Sequence, residues 1–219
     1  LLVHANGPEG TGLYLLRDTN GDDQSDAIEL ITPSAGKISE HGPHEIELGA
    51  DGFLYVLFGN HSSPDVDLDT LSASRGLRED HLLPRYLDPR GHANHIQAPG
   101  GTLHRFDLSK RHWEQIAGGF RNPFDLAIDS SGEILTFESD MEWDFGLPWY
   151  REIRVLHVIP GGDYGWRTGS SKFPSYYMDT LPSIDETGRG SPVGIAFYQH
   201  HVYPKKYRGA LFMGDWSRG

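Results

Sequence analysis

Apolar and polar residues alternate with a period of two along much of this chain, in short runs parted by turns rich in Gly, Pro and Asp. That is the pattern of half-buried β-strands. Three runs open on the same phrase: His41-Gly42-Pro43-His44-Glu45-Ile46-Glu47-Leu48, Arg121-Asn122-Pro123-Phe124-Asp125-Leu126-Ala127-Ile128 and Gly190-Ser191-Pro192-Val193-Gly194-Ile195-Ala196-Phe197. Each is two variable residues, a proline, then alternating apolar positions. The first two align without a gap over 41–60 and 121–140. Ile46 and Leu48 match Leu126 and Ile128, Asp51-Gly52 matches Ser131-Gly132, and Leu54-Tyr55 matches Ile134-Leu135. The unit is strand, glycine-bearing turn, strand, with glycine supplying the positive φ of a tight hairpin. The third copy keeps its first strand, carries an insertion through 198–207 and resumes at Gly209-Ala210-Leu211-Phe212-Met213-Gly214-Asp215.

Further hairpins fall between these units, at 12–31 around a polar turn and at 101–117 around Leu108-Ser109-Lys110, and another strand begins at Ile153. Two hairpins per unit make a four-stranded antiparallel blade, which predicts an all-β chain folded as a β-propeller. Successive copies of the phrase stand farther apart than the roughly 40–50 residues of a plain blade. Each unit therefore carries an excursion, at about 61–99 and 167–189. Residues 1–219 read as one partial propeller domain of about three blades, a piece of a longer protein.

In an antiparallel hairpin the start of the first strand and the end of the second share one side. One rim thus collects His41, His44, Asn60 and His61, then Arg121, Asn122, Glu138 and Asp140, then Ser191, Asp215 and Arg218. The opposite rim holds only the turns Asp51-Gly52 and Ser131-Gly132. Chemistry belongs to the first rim.

Composition narrows the chemistry. The formal net charge is -12, which argues against a nucleic-acid partner, since a phosphate backbone calls for basic patches. It suits cations and neutral polar substrates. The chain has no cysteine, and so no disulfide, thiolate ligand or thiol nucleophile. No apolar run approaches the roughly 18 residues of a membrane span. A Gly-x-Ser-x-Gly elbow, a P-loop and a dinucleotide fingerprint are all absent.

Within the rim, His41 is the candidate general base, its ordinary pKa lying near neutrality; the alternative is a turn histidine capping backbone groups. Position 44, opening the strand itself, suits packing or support. Arg121 and Asn122 offer a guanidinium fork and an amide at one point, suited to carboxylate or quinone oxygens, or else to tying adjacent blades through carbonyls. Glu138, Asp140, Glu142 and Asp144 set four carboxylates at alternate positions just past a strand end. Oxygen ligands in that density suit Ca²⁺, and the neighbouring Trp143, Phe145, Leu147, Pro148 and Trp149 point to a structured segment rather than a solvated loop. A second candidate cation loop, 18–26, supplies Asp18, Asn20, Asp22 and Asp26, with Asp23 where the EF-hand pattern has glycine. Structural calcium and a plain polar turn are both open there. His92 and His95 lie in a loop, where their spacing does not make a metal site.

With these residues in place, the chain resembles the soluble pyrroloquinoline-quinone (PQQ) dependent sugar dehydrogenases of the glucose/sorbosone type, and most of all the large bacterial branch of membrane-bound dehydrogenases. The resemblance covers most of the chain. It rests on His41 upstream of Asp51-Gly52-Phe53-Leu54-Tyr55-Val56, on Arg121-Asn122-Pro123, on Gly162-Asp163-Tyr164-Gly165-Trp166, and on Pro192-Val193-Gly194-Ile195-Ala196-Phe197-Tyr198. It implies a six-bladed propeller with PQQ and Ca²⁺ above the channel and a periplasmic or extracellular location. His41 would match the base, Arg121 and Asn122 the cofactor contacts, 138–144 the calcium segment, and Arg218 a trace of later basic contacts. The family's Gly-Pro calcium turn is replaced here by acidic residues.

The expectation is an oxidoreductase that oxidises a sugar or polyol hydroxyl with PQQ and Ca²⁺, with a cytochrome c as a candidate electron acceptor. Two other readings stand beside it. One is a non-catalytic propeller binding glycans or a protein, using rim aromatics such as Trp143, Trp149, Tyr150, Tyr176 and Tyr177. The other is a calcium-dependent lactonase with Glu138 or Asp140 on a single central ion.

Overall fold

The computed structural model describes residues 1–36, 38–68, 70, 72–78, 93, 95–144, 146–169 and 177–217. Among the described residues the regular elements are fourteen β-strands and one short 3₁₀ turn at Lys205–Tyr207. The strands are β1 (Leu2–Gly7), β2 (Gly10–Arg17), β3 (Ala27–Gly36), β4 (Pro43–Leu48), β5 (Leu54–Phe58), β6 (Ser62–Pro64) and β7 (Gly101–Asp107). They continue with β8 (His112–Phe120), β9 (Pro123–Ile128), β10 (Ile134–Glu138), β11 (Ile153–Val158), β12 (Asp185–Gly188), β13 (Pro192–Phe197) and β14 (Leu211–Asp215).

These strands form three four-stranded sheets, β1-β2-β3-β6, β4-β5-β7-β8 and β9-β10-β11-β12, and a hairpin β13-β14. Pairing is antiparallel throughout. The architecture is that of propeller blades. Each recurrence of the proline phrase begins an inner strand at its proline: Pro43, Pro123 and Pro192. A proline tolerates the first position of an edge strand because it has no N–H to give to a ladder. Two details depart from the pattern reading. The excursion at 61–99 contains β6, which pairs not with its own blade but with β3 of the preceding one, and the excursion at 167–189 ends in β12, the fourth strand of its blade.

Among the described residues, three of the hydrophobic clusters each lie between two sheets. Leu13 and Ile31 of the first blade meet Leu54, Val56, Phe58, Phe106 and Trp113 of the second. From the other face of the second blade, Leu57, Leu103, Ala117 and Phe120 meet Leu126, Ile134, Leu156 and Val158 of the third. Phe137, Ile153 and Val155 then meet Ile195 of β13. Alternation sends odd and even residues of one strand into different clusters, as with Val56 and Leu57, because a propeller blade is buried on both faces. Each such side chain contributes about 1.5–3 kcal/mol by leaving water. Among the described residues no helix is long and apolar enough to cross a membrane.

Candidate functional site

The rim predicted from the repeats is built by the connections entering and leaving the inner hairpins. Between β3 and β4 the chain turns through Ser39 and Gly42, and Gly42 N donates to Ser39 O (2.9 Å). This sets His41 at 2 % exposure. The next pass of the chain locks it there: His61 N donates to His41 O (3.0 Å) and Gly59 N to Gly42 O (2.8 Å). Gly59 leaves no room for a side chain, since a Cβ there would stand 2.5 Å from His41 O and 2.6 Å from Asn122 Oδ1.

The His41 ring is oriented from one side by Asn60, whose Oδ1 lies 2.7 Å from Nδ1. An amide oxygen only accepts, so Nδ1 carries the proton and Nε2 is left unprotonated. That is the tautomer a base needs. His61 stacks beside it at 4.6 Å between ring centroids.

Blade three is joined to this point directly. Asn60 N donates to Arg121 O (2.9 Å), and Ser139 N donates to Asn122 O (3.2 Å). Arg121 uses Nη1 for Ser139 Oγ (3.2 Å) and Asp140 O (2.7 Å). Its Nε and Nη2 make no hydrogen bond to a described residue. Burial draws the Arg121 pKa below its ordinary value, against the opposing pull of Glu138, Glu142 and Asp140.

Asn122 has a different task. Its Oδ1 accepts from His44 Nε2 (2.7 Å) and its Nδ2 donates to Glu40 O (3.1 Å). Both ends of the amide are engaged across the blade boundary, and the side chain is 7 % exposed. Of the two sequence readings for the Arg-Asn pair, Asn122 takes the tie between blades, while Arg121 keeps donors for a ligand. His44, half-buried against the Phe124 ring (5.1 Å between centroids), supports that tie; burial lowers its pKa.

The acidic segment does not act as a unit. Glu138, fully buried, faces inward: its Oε2 accepts from Arg154 Nε (2.9 Å) and Nη2 (2.5 Å), and Oε1 accepts from Arg121 N. Asp144 is also buried, and accepts from Gly169 N (3.1 Å). Asp140 is partly covered and Glu142 is exposed. Among the described residues no three His, Asp or Glu side chains gather closely enough to hold a metal ion. Glu138 is thus committed to a guanidinium and an amide, which leaves Asp140 and Glu142 as the outward carboxylates of the segment.

In the 18–26 turn, Asp18 accepts from Gly21 N (2.7 Å) and Asp23 N (2.9 Å), and Asp22 from Gln24 N (2.9 Å). Asp26 accepts from Thr19 N (3.0 Å) and Thr19 Oγ1. Backbone hydrogen bonding lowers the pKa of Asp18, and hydrogen bonds from Thr19 lower that of Asp26. Asp18, Asn20, Asp22 and Asp26 are exposed in the turn of the outer hairpin β2-β3. Arg218, His92, Phe145 and Tyr176 lie outside the described residues.

Sequence reasoning left Glu45 out. On the inner strand β4 its carboxyl meets Asp125 of β9, and burial followed by the Asp125 charge raises its pKa. The signal was present: both residues occupy polar positions of the repeated phrase.

Solved structures share this architecture. The chain aligns over 94% of its length with the PQQ-bound form of an aldose sugar dehydrogenase from Streptomyces coelicolor, at 16% identity, TM-score 0.55 and 58% of that protein. The fold is that of the sugar-dehydrogenase β-propellers. A second such propeller, described as a glucose dehydrogenase, matches at 18% identity and TM-score 0.62 over 94% of this chain and 57% of its own. A third, an oxidoreductase described as a glucose dehydrogenase from Thermus thermophilus, matches at 20% identity and TM-score 0.60 over 94% and 54%. The chain therefore spans somewhat over half the length of each of these propellers. No protein-family model matches the chain, and no curated protein matches it.

Proposed function

We propose that this chain is the part of a quinone-dependent oxidoreductase that carries the base and one anchor for the cofactor, acting on a sugar or polyol hydroxyl. The observation that carries this reading is the pairing of His41 with Asn60 Oδ1 at 2.7 Å, which puts the proton on Nδ1 and makes Nε2 the basic nitrogen, on the rim where Asn60 N also donates to Arg121 O (2.9 Å). A neutral imidazole on a fixed ring can accept the proton of an alcohol as its carbon is oxidised, a contribution of about 10²–10⁴ in rate. PQQ, when bound, would supply the hydride acceptor. Arg121 fits that group: it is a partly buried cation with Nε and Nη2 available for carboxylate or quinone oxygens.

Calcium fits less completely. Glu138 is engaged by Arg154, so a rim ion would draw on Asp140 and Glu142 with main-chain carbonyls. A cytochrome c acceptor and a periplasmic or extracellular location accompany the quinone reading.

The test is dye-linked oxidation by the full-length protein supplied with PQQ and Ca²⁺ across a panel of sugars and polyols. Activity that disappears in His41→Ala supports the assignment; absence of dye reduction across the panel, or full activity in His41→Ala, removes it.

One observation favours a glycan-binding propeller as the second reading. Trp143 and Trp149 stand 46% and 45% exposed on the acidic rim segment, where indole faces can stack on sugars. That reading predicts retention on immobilised glycan without quinone uptake. A lactonase using Glu138 on a central ion loses that ligand to Arg154.

A further inference from the structure

A cavity of about 400 Å³ lies in the cleft between the first and second blades, within the span of about 300–1,000 Å³ typical of small-molecule sites. Its walls come from the end of β3 and from β6 on one side and from β7 and β8 on the other, and Val66, Leu68 and Ile96 supply apolar surface. Three polar atoms at these walls have no hydrogen-bond partner among the described residues: Asn60 Nδ2, Ser62 Oγ and His104 Nδ1. Their residues are only 4%, 8% and 2% exposed. Buried polar groups without partners cost about 1–3 kcal/mol each, and three of them on residues that line one space point to an occupant that reaches them.

The chemistry of the walls limits the occupant. Among the described residues, none lining the cavity is Asp, Glu, Lys or Arg. Of the two histidine rings in the walls, His61 and His104, that of His104 is held neutral: burial lowers its pKa to about 3, and Nε2 pairs with Thr102 Oγ1 at 2.8 Å. A charged ligand would find no carboxylate, ammonium or guanidinium partner among them. Amide, hydroxyl and imidazole groups arranged around apolar surface instead match a neutral molecule carrying several hydroxyls.

We propose that this inter-blade cavity is a binding site for a small neutral polyhydroxylated molecule, of monosaccharide or polyol size, coupled to His41 through Asn60. The coupling is geometric. Asn60 gives Oδ1 to the His41 ring, and its Nδ2 is left without a partner on a residue that lines the cavity, so a hydroxyl accepting from Nδ2 would polarise the amide and strengthen its hold on the imidazole. The site is separate from the Arg121 anchor and does not require that the rim bind a quinone.

The experiment is ligand-observed saturation-transfer NMR on the full-length protein as purified, without added quinone, using glucose and xylitol as probes. At least one probe is expected to bind the wild type, about tenfold more weakly to Ser62→Ala and His104→Phe, and unchanged to Arg121→Ala. Should His104→Phe fail to fold, Gln115→Leu, which alters the same wall, takes its place. No transfer from either probe would mean that the cavity holds only water. Binding that Arg121→Ala abolishes and the cavity variants leave alone would belong to the rim. Either result overturns the proposal.

Discussion

Glu138 and Arg154 face each other across the β10–β11 ladder as direct register partners, and both guanidinium contacts of Arg154 fall on one carboxylate oxygen. The pair sits where a metal ligand was expected, and it bolts the third blade from within. Arg154 Nη1 also donates to Tyr164 O (2.8 Å), so the bolt extends to the turn that packs on blade two.

Glu138→Gln is therefore expected to act on stability. It leaves Arg154 buried without its counter-charge, a loss of about 3–5 kcal/mol, read as a lower urea midpoint. Calcium affinity measured by titration calorimetry should not change. A variant of native stability with weakened calcium binding would return Glu138 to the metal.

Asn60 positions the ring of His41, and its replacement should separate positioning from structure. Asn60→Ala is expected to lower kcat by about tenfold or more, up to the roughly 10²–10⁴ that a general base contributes, at nearly unchanged KM. Asn60→Asp should restore part of the rate with a displaced pH profile. A carboxylate beside Nδ1 favours the imidazolium and raises the histidine pKa, so the acidic limb moves to higher pH. An unshifted limb would show that Asn60 does not act on His41.

Two histidines buried between blades one and two make stability pH-dependent. Burial lowers the pKa of His104 to about 3 and of His4 to about 4, from 6.5 in each case. The unfolded chain therefore binds protons that the folded chain refuses, and stability falls as pH drops from about 6.5 towards the folded values. Each group contributes about 1.4 kcal/mol per pH unit where its effect is full. Urea midpoints at several pH values between 7 and 4.5 should decline, and His104→Phe should flatten that decline.

Gly119 and Gly132 both have positive φ, +79° and +89°, but only Gly119 is hemmed in. A Cβ at Gly119 would lie 2.1 Å from Asp163 Oδ1 and 2.6 Å from Tyr164 N, whereas Gly132 has nothing within 4 Å. Gly132→Ala should cost the left-handed penalty alone, about 1–2 kcal/mol. Gly119→Ala should cost clearly more, because blade three must move away from blade two. Equal losses in thermal denaturation would contradict the close approach.

The fold was legible because a propeller repeats its grammar. Proline, apolar alternation and a glycine turn recur at 43, 123 and 192, and each marks an inner strand in the structure. The face carrying His41, Asn60 and Arg121 followed from hairpin geometry alone. The Glu138–Arg154 pairing was not legible for a physical reason: Arg154 lies on the next strand, beyond a long connection, and only the ladder register shows that they oppose. The strand β12 escaped because Asp185-Glu186-Thr187-Gly188 has no apolar alternation to read. For β6, three residues long and bordered by loop, pattern offers too little to detect.

That last strand has a mechanical consequence. β6 leaves the second blade's inner hairpin and closes the outer edge of the first, pairing Ser62, Ser63 and Pro64 with Gly36, Ala35 and Ser34. The chain thereby sews its opening blade to its neighbour with a stitch that runs backwards. A single proteolytic nick at the exposed Ser39-Glu40 linker should not release the N-terminal strands, which would stay clasped to the remainder and elute with it in native gel filtration.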